Sequence, residues 1–98
     1  MSLQGSYGKP RPALTIQSDL LSELDSVMIC LVTSEIRDAL FRVVVEPDTL
    51  DGLQVLSQVM VDKLFTLPRA KIEAAFGRLD ADKMRVVERA LLVVVGIA

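Results

Sequence analysis

The pattern of apolar and polar positions predicts a protein built mainly from short β-strands. The run "SVMICLVT" is apolar almost throughout and is too short for a buried helix, so it is typical of a buried strand. The run "SQVMVDKLFT" alternates instead, which turns Val59, Val61 and Leu64 inward and places Met60 and Asp62 on the opposite face. The predicted strands cover residues 13–17, 26–33, 41–47 and 57–66.

Two helices are predicted at the end of the chain. Thr66 can cap the first, over residues 67–76, with Gly77 as its stop. Asp80 can cap the second, over residues 81–95, which ends at Gly96. The second helix finishes in "ALLVVVG", which is apolar on every side. We therefore expect that end to be covered by another subunit rather than sunk in the core of so small a protein.

The order of these elements defines the expected fold class. It is mainly β with C-terminal helices, an α+β arrangement in which a strongly curved antiparallel sheet or partial barrel is packed by helices. The first six to eight residues lack periodicity and predict a loop. With 98 residues, the chain is expected to form one domain spanning residues 1–98.

Composition removes several kinds of chemistry. The chain has no histidine, so the usual near-neutral acid or base is absent, and Cys30 is the only cysteine, which excludes an intrachain disulfide or a cysteine-rich zinc site. Cys30 lies in an apolar run and is expected to be a buried, inert thiol. No apolar segment is long enough to span a bilayer and no secretory signal is present, so we expect a cytoplasmic protein.

An arginine stands between two prolines just before the first predicted strand, in "GSYGKPRPALTIQSD". Proline disfavours helical backbone in the residue before it, so Arg11 is pushed toward an extended conformation by Pro12. Its side chain is aimed with little backbone freedom. The alternative is a purely structural role, in which the guanidinium donates hydrogen bonds to loop carbonyls and so holds the loop against the sheet.

Four motifs in order resemble the MazF/PemK family of toxin ribonucleases. They are "GKPRPALTIQSD", "MICLVTSEI", "DGL…SQVMVDKLFTLPR" and "GRLDADKMRVVERALLVVVG", which together cover residues 8–96. The resemblance implies an SH3-like barrel of the plasmid-maintenance toxin type, a homodimer, and cleavage of single-stranded RNA without a metal or other cofactor. It also implies a cognate antitoxin whose acidic, disordered segment occupies the RNA groove.

The resemblance carries three catalytic candidates onto this chain, Arg11, Thr33 and Asp62. When a ribose 2′-OH attacks the adjacent phosphate, negative charge grows on the phosphoryl oxygens, and a fixed guanidinium can stabilise it. Thr33 could add a hydrogen bond, and Asp62 or water could remove the 2′-OH proton. The candidates for RNA contact are Tyr7, Lys9, Ser34 and Lys63.

The chain departs from the family pattern in two places. It starts too late, on this interpretation, to contain the strand that usually precedes the arginine loop, and Met60 stands where some members carry a second catalytic arginine. These departures keep open a rival function, in which the same scaffold binds a partner without chemistry, as a gyrase poison or an antitoxin-binding remnant. A purely structural dimer is the third possibility. For single residues, Thr33 could simply cap a strand end, and Asp62 could pair with Lys63 or Arg69.

Overall fold

One six-stranded antiparallel sheet carries a single C-terminal helix in the computed structural model, which describes residues 3–6, 12–16 and 23–97. The side chains of residues 3–6, 73 and 74 are not part of that description. The elements are β1 (Leu3–Ser6), β2 (Pro12–Thr15), β3 (Ser26–Thr33), β4 (Arg42–Val45), β5 (Ser57–Pro68), β6 (Ile72–Gly77) and α1 (Ala81–Val94). A 3-10 turn, Arg69–Lys71, joins β5 to β6.

The sheet order β4-β5-β3-β2-β1-β6 leaves β4 and β6 at its edges, so the sheet is not closed over the described residues. A large irregularity interrupts the pairing of β3 with β5, because Cys30 pairs with Leu64 whereas Val32 pairs with Val59. The extra residues of β5 form a bulge, which bends the strand. A mainly β, partial-barrel architecture with a C-terminal helix is therefore confirmed.

The sheet is apolar on both sides of β3, as the unbroken run of that strand predicts. One face packs against α1 through a core of Leu14, Cys30, Val32, Val43, Val45, Val59, Val61, Leu79 and Val87. The other face buries a smaller cluster of Ala13, Val27 and Ile29. Met84 and Leu91 of α1 pack against the larger core beside Val87, at the helical spacing seen in the sequence.

The ends of α1 follow the sequence signals. Asp80 accepts a hydrogen bond from the Lys83 N–H at 2.8 Å, and Gly96 adopts a φ of 81° where the helix stops. Glycine reaches this left-handed conformation without steric cost, which explains the stop. With 14 residues α1 is too short to cross a membrane, and the described parts of the chain hold no other candidate span.

Two predictions about the strands and helices are wrong. The helix expected over residues 67–76 is absent, because Leu67 and Pro68 still pair with β3 and residues 72–77 form β6. The loop expected at the start of the chain contains β1, so the strand thought to be missing before Pro12 is present. One cause explains both errors: β1 and β6 are neighbours in the sheet, and Leu3 pairs with Gly77.

Candidate active site

Two adjoining cavities lie where β2 and β3 meet the loop before β5. The Thr33 cavity, of about 400 Å³, is lined in part by Leu31, Thr33, Glu35 and Met60. The second, which we call the Phe76 cavity, has a volume of about 460 Å³. Pro12 and Ser34 line both cavities, so the two adjoin, and we refer to them together as the groove. Pro12, which lines both cavities, follows Arg11 in the sequence.

Thr33 ends β3 at the edge of the groove. Its hydroxyl oxygen accepts a hydrogen bond from the Glu35 N–H at 3.1 Å. The capping of the strand end that we gave as the structural alternative is therefore present. That hydrogen bond uses a lone pair, and the hydroxyl proton is left to donate. Thr33 can therefore cap the turn and also donate to a phosphate in the cavity.

Gln58 fixes the segment that follows Thr33. Its side chain is only 3% exposed, and its carbonyl oxygen accepts from the Arg37 N–H at 3.0 Å. The side-chain amide donates in turn to the Arg37 carbonyl at 2.9 Å. The Gln58 amide thus pairs with both backbone polar groups of Arg37, as the backbone of a neighbouring strand would. Ser34 and Glu35, which line the Thr33 cavity, are held between this anchor and the end of β3.

Charges at this end of the groove are partly balanced. The Arg37 guanidinium pairs with Glu35, and this hydrogen bond and the positive charge lower the pKa of the Glu35 carboxyl. Arg42 donates to the Glu35 carbonyl and to the Gln58 side-chain oxygen, both at 3.3 Å. The charge of Arg42 also helps to lower the pKa of the Glu35 carboxyl, so Glu35 partly balances both arginines.

A second network supports the far wall of the groove. Asp51 is fully buried, and its Oδ1 accepts from the Leu53 N–H at 2.9 Å. Its Oδ2 has no hydrogen bond among the described residues and lies 3.6 Å from the Lys83 ammonium. Lys83 also donates to Asp48 at 2.7 Å. The loop that lines the Phe76 cavity is thereby anchored to the start of α1.

The structure brings together only some of the candidates predicted from the sequence. Thr33 and Ser34 share the groove wall. Arg11, Tyr7 and Lys9 lie outside the described residues, so their predicted roles stay predictions. Asp62 and Lys63 are exposed on β5, and neither belongs to the described walls of the two cavities.

The alternative role of Asp62 and the expected state of Cys30 can both be checked within the described part of the chain. No ion pair there joins Asp62 to Lys63 or Arg69, and the Arg69 guanidinium donates instead to the Leu24 carbonyl at 2.8 Å. Cys30 is fully buried, and burial, with a smaller contribution from the charge of Asp62, raises the pKa of its thiol to about 11. An inert, protonated thiol is the state expected from the sequence.

Sequence reasoning missed Gln58 and Phe76. Strand alternation gave no warning, because Ser57, Gln58 and Val59 are buried in succession. The one available signal was that Gln58 is the only amide side chain in β5. Phe76 was assigned to a helix, and only its place on β6 brings its ring to the cavity. Groups of three or more acidic or cysteine ligands arranged for a metal ion are absent from the described residues.

The comparisons with known proteins agree with this fold. Residues 2–95 match the family model described as "PemK-like, MazF-like toxin of type II toxin-antitoxin system", and the chain belongs to this family. It is 42% identical, over 97% of its own length and 89% of the relative's, to a protein of Mycolicibacterium smegmatis named "Probable endoribonuclease MazF".

Solved structures of toxins share the same fold. The Mycobacterium tuberculosis toxin MazF-mt6 superposes with a TM-score of 0.88 at 21% identity, covering 100% of this chain and 99% of that chain. A mycobacterial endoribonuclease in complex with its cognate antitoxin gives 0.83 at 19% identity, covering 99% and 92% of the two chains. A MazE-MazF complex from Deinococcus radiodurans gives 0.80 at 24% identity, covering 99% and 94%. At these identities the likeness establishes the SH3-like toxin fold.

Proposed function

We propose that this toxin is an endoribonuclease that cuts single-stranded RNA at short sequences without a metal ion. One observation carries the proposal: the chain is 42% identical, over nearly its whole length, to a protein named as a probable MazF endoribonuclease. The groove supports it, since Thr33 and Ser34 line the same wall as Pro12, the neighbour of Arg11.

The proposed reaction is an in-line transfer within the RNA. The ribose 2′-oxygen attacks the adjacent phosphorus, the bond from phosphorus to the 5′-oxygen breaks, and the products are a 2′,3′-cyclic phosphate and a 5′-hydroxyl. Arg11 stabilises the charge that grows on the phosphoryl oxygens, and Thr33 donates a further hydrogen bond. Asp62 or water takes the 2′-OH proton, and Arg11 or water supplies the proton to the leaving oxygen.

RNA contacts on either side of the reacting phosphate complete the proposed site. Ser34 is exposed in the groove wall shared by both cavities, where its hydroxyl can reach the RNA backbone. Tyr7, Lys9 and Lys63 are proposed to contact a base or phosphates further along the strand. Lys63 is exposed on β5, outside the cavities, so its contact would be with a distant phosphate.

The proposed partners are an antitoxin and a second copy of the chain. Related structures are complexes with an antitoxin, which supports a cognate antitoxin whose acidic, disordered segment covers the groove. The exposed apolar side chains of α1 and the residues after it support a homodimer; they include Val86, Leu92, Val93, Val95 and Ile97. We place this single-domain toxin, residues 1–98, in the cytoplasm, where its RNA substrate is found.

A binding function without cleavage is the second candidate. Met60 lines the Thr33 cavity at the position where some relatives place a catalytic arginine, and a thioether cannot stabilise a developing charge. On this alternative the groove holds an antitoxin or another protein, and RNA is left intact.

The deciding experiment incubates the purified protein with a long single-stranded RNA in EDTA and maps the cuts and their end groups. We expect cuts at a repeated short sequence, with cyclic or 3′-phosphate ends, that disappear in Arg11→Ala. Arg69→Ala is the matched control, because the Arg69 side chain is tied to the Leu24 carbonyl and lies outside the groove walls. Intact RNA with a folded wild-type protein would favour the binding function instead.

A further inference from the structure

The Phe76 cavity combines an exposed aromatic ring with polar groups. Phe76 is 45% exposed on the edge strand β6, and Leu53 and Val55 supply further apolar wall. The Gln54 side chain is exposed on the same wall, and no partner for it exists among the described residues. A volume of about 460 Å³ falls within the range of ~300–1,000 Å³ usual for small-molecule sites.

The backbone that carries this wall is packed tightly enough to be preformed. Gly52 has a φ of 69°, and a Cβ built on it would lie 2.7 Å from the Phe76 carbonyl oxygen. A Cβ on Gly77 would collide with the Asp51 carbonyl. The Arg78 N–H also donates to the Leu50 carbonyl at 3.1 Å. Residues 50–53 are thus seated directly on β6, which reduces the ordering cost of binding a ligand there.

The cavity also adjoins the proposed reaction site. Ser34 and Pro12 line both cavities, so a ligand in the Phe76 cavity lies directly beside one in the Thr33 cavity. An RNA strand can fill two adjoining cavities, because a base lies on either side of each phosphate.

We infer that the Phe76 cavity is a nucleobase subsite, in which a base beside the reacting phosphate stacks on the Phe76 ring and hydrogen-bonds to the Gln54 amide. The inference rests on the proposed function for its substrate class. Stacking on an aromatic side chain accepts any base, since every base has a π face. The Gln54 amide, which has both donors and an acceptor, adds base preference. Phe76 therefore supplies binding and Gln54 supplies discrimination.

The test measures binding separately from cleavage. The probe is a single-stranded RNA pool of random sequence with 2′-O-methyl riboses and a central 2-aminopurine, which cannot be cut because it has no 2′-OH. Wild-type protein should bind the probe and quench its fluorescence by stacking. Phe76→Leu should bind about tenfold more weakly and lose the quenching, whereas Phe76→Tyr should retain both.

The chain offers a matched control in Phe65, which is 37% exposed on β5 and is not part of the described cavity walls. Phe65→Leu should bind and quench as the wild type does. Gln54→Leu, an exposed substitution that leaves the packing unchanged, should alter the bases selected from the pool. The fold of every variant is checked by thermal unfolding.

Each remaining outcome separates the two proposals. Wild-type cutting in EDTA, with binding and quenching unchanged in Phe76→Leu, would overturn the base subsite and leave the ribonuclease proposal standing. Phe76-dependent quenching without cutting would support the base subsite and overturn the ribonuclease proposal. A Phe76→Leu variant that loses only an antitoxin peptide, and binds RNA normally, would show that the cavity receives a protein side chain and would overturn the inference.

Discussion

The side chain of Gln58 pairs with both backbone polar groups of Arg37, at 3.0 Å through its oxygen and 2.9 Å through its nitrogen. The segment between Thr33 and Arg37 would otherwise leave the sheet with free backbone groups. Gln58 gives it a fixed end, and Arg42 reinforces the anchor by donating to the same side-chain oxygen at 3.3 Å. The hydroxyls of Thr33 and Ser34 are thereby held at the groove by a side chain on the neighbouring strand.

Replacing this amide tests whether the anchor matters for both stability and cleavage. Gln58→Leu leaves the Arg37 backbone groups without their partner, and we expect the free energy of unfolding to fall by about 1–3 kcal/mol. The same change should lower kcat for RNA cleavage, because the groove hydroxyls lose their fixed positions. Urea unfolding and the rate of tryptic cleavage after Arg37 measure the loosening directly.

The control for this variant removes the Arg37 side chain and keeps its backbone bonds. Arg37→Ala loses only a solvent-exposed ion pair with Glu35, and such pairs contribute little to stability. Equal losses of stability in Gln58→Leu and Arg37→Ala would contradict the role assigned to the amide.

The Thr33 hydroxyl can be tested by two substitutions that differ in one group. Thr33→Val keeps the shape and removes the hydroxyl, whereas Thr33→Ser keeps the hydroxyl and removes a methyl group. We expect Thr33→Val to lower kcat by about tenfold or more with little change in KM, and Thr33→Ser to stay close to wild type. Normal cleavage by Thr33→Val would reduce Thr33 to its turn-capping hydrogen bond with Glu35.

The strands and the helix that could be predicted are determined by local sequence patterns. The two wrong predictions concern β1 and β6, which form because segments far apart in the sequence pair with each other. The apolar run of β3 and the capped, periodic sequence of α1 each carry their own evidence within a short window. The segment "IEAAF" consists largely of good helix formers but becomes β6 because β1 lies beside it. Nothing within residues 67–77 reveals that a partner strand comes from the start of the chain.

The candidate site divides in the same way. Thr33 and Ser34 were recognisable because a motif and a strand end mark them. Gln58 was not, because its partner is the backbone of Arg37, 21 residues away in the sequence and unrelated to any motif. Met60 and Asp62 were placed on one face by alternation, yet only Met60 lines a cavity. Both lie in the irregular stretch of β5 between Val59 and Leu64, where simple alternation does not describe the strand.

Lys83 links α1 to the loop of the Phe76 cavity, and its removal should be costly. Lys83→Met leaves the buried Asp51 carboxylate without its cation, which lies 3.6 Å away. Breaking a fully buried pair costs about 3–5 kcal/mol, and we expect about 2–3 kcal/mol here because Lys83 is 23% exposed. Urea unfolding at neutral pH measures the loss.

Two further variants isolate the charge at Asp51. Asp51→Asn removes the charge and keeps the oxygen that accepts from Leu53, so in the double variant Lys83→Met should cost much less than it does alone. Arg85→Met, which breaks an exposed pair with Asp82 on the same helix, should change stability by less than about 1 kcal/mol. Additive losses from Asp51→Asn and Lys83→Met would contradict the pairing.

Asp48 should give the protein a characteristic loss of stability in acid. The hydrogen bond from Lys83, helped by the backbone N–H groups of Asp51 and Leu50, lowers the pKa of the Asp48 carboxyl to about 2. The ordinary pKa of an aspartate is 3.8, so between that pH and about 2 the unfolded chain binds more protons. The stabilisation from Asp48 is therefore complete above about pH 4 and is lost as the pH falls toward 2.

Urea unfolding of the wild type and Asp48→Asn from pH 6 to pH 2 reveals this contribution as a difference between two curves. The difference in the free energy of unfolding should be largest near neutral pH and should disappear as the pH falls through the acid range. Glu35, whose pKa is also lowered, acts in both proteins and cancels in the difference. Lys83→Met should flatten the acid limb as Asp48→Asn does, because it removes the main cause of the shift. Parallel curves at every pH would show that the Lys83 hydrogen bond does not hold Asp48 ionised in the folded protein.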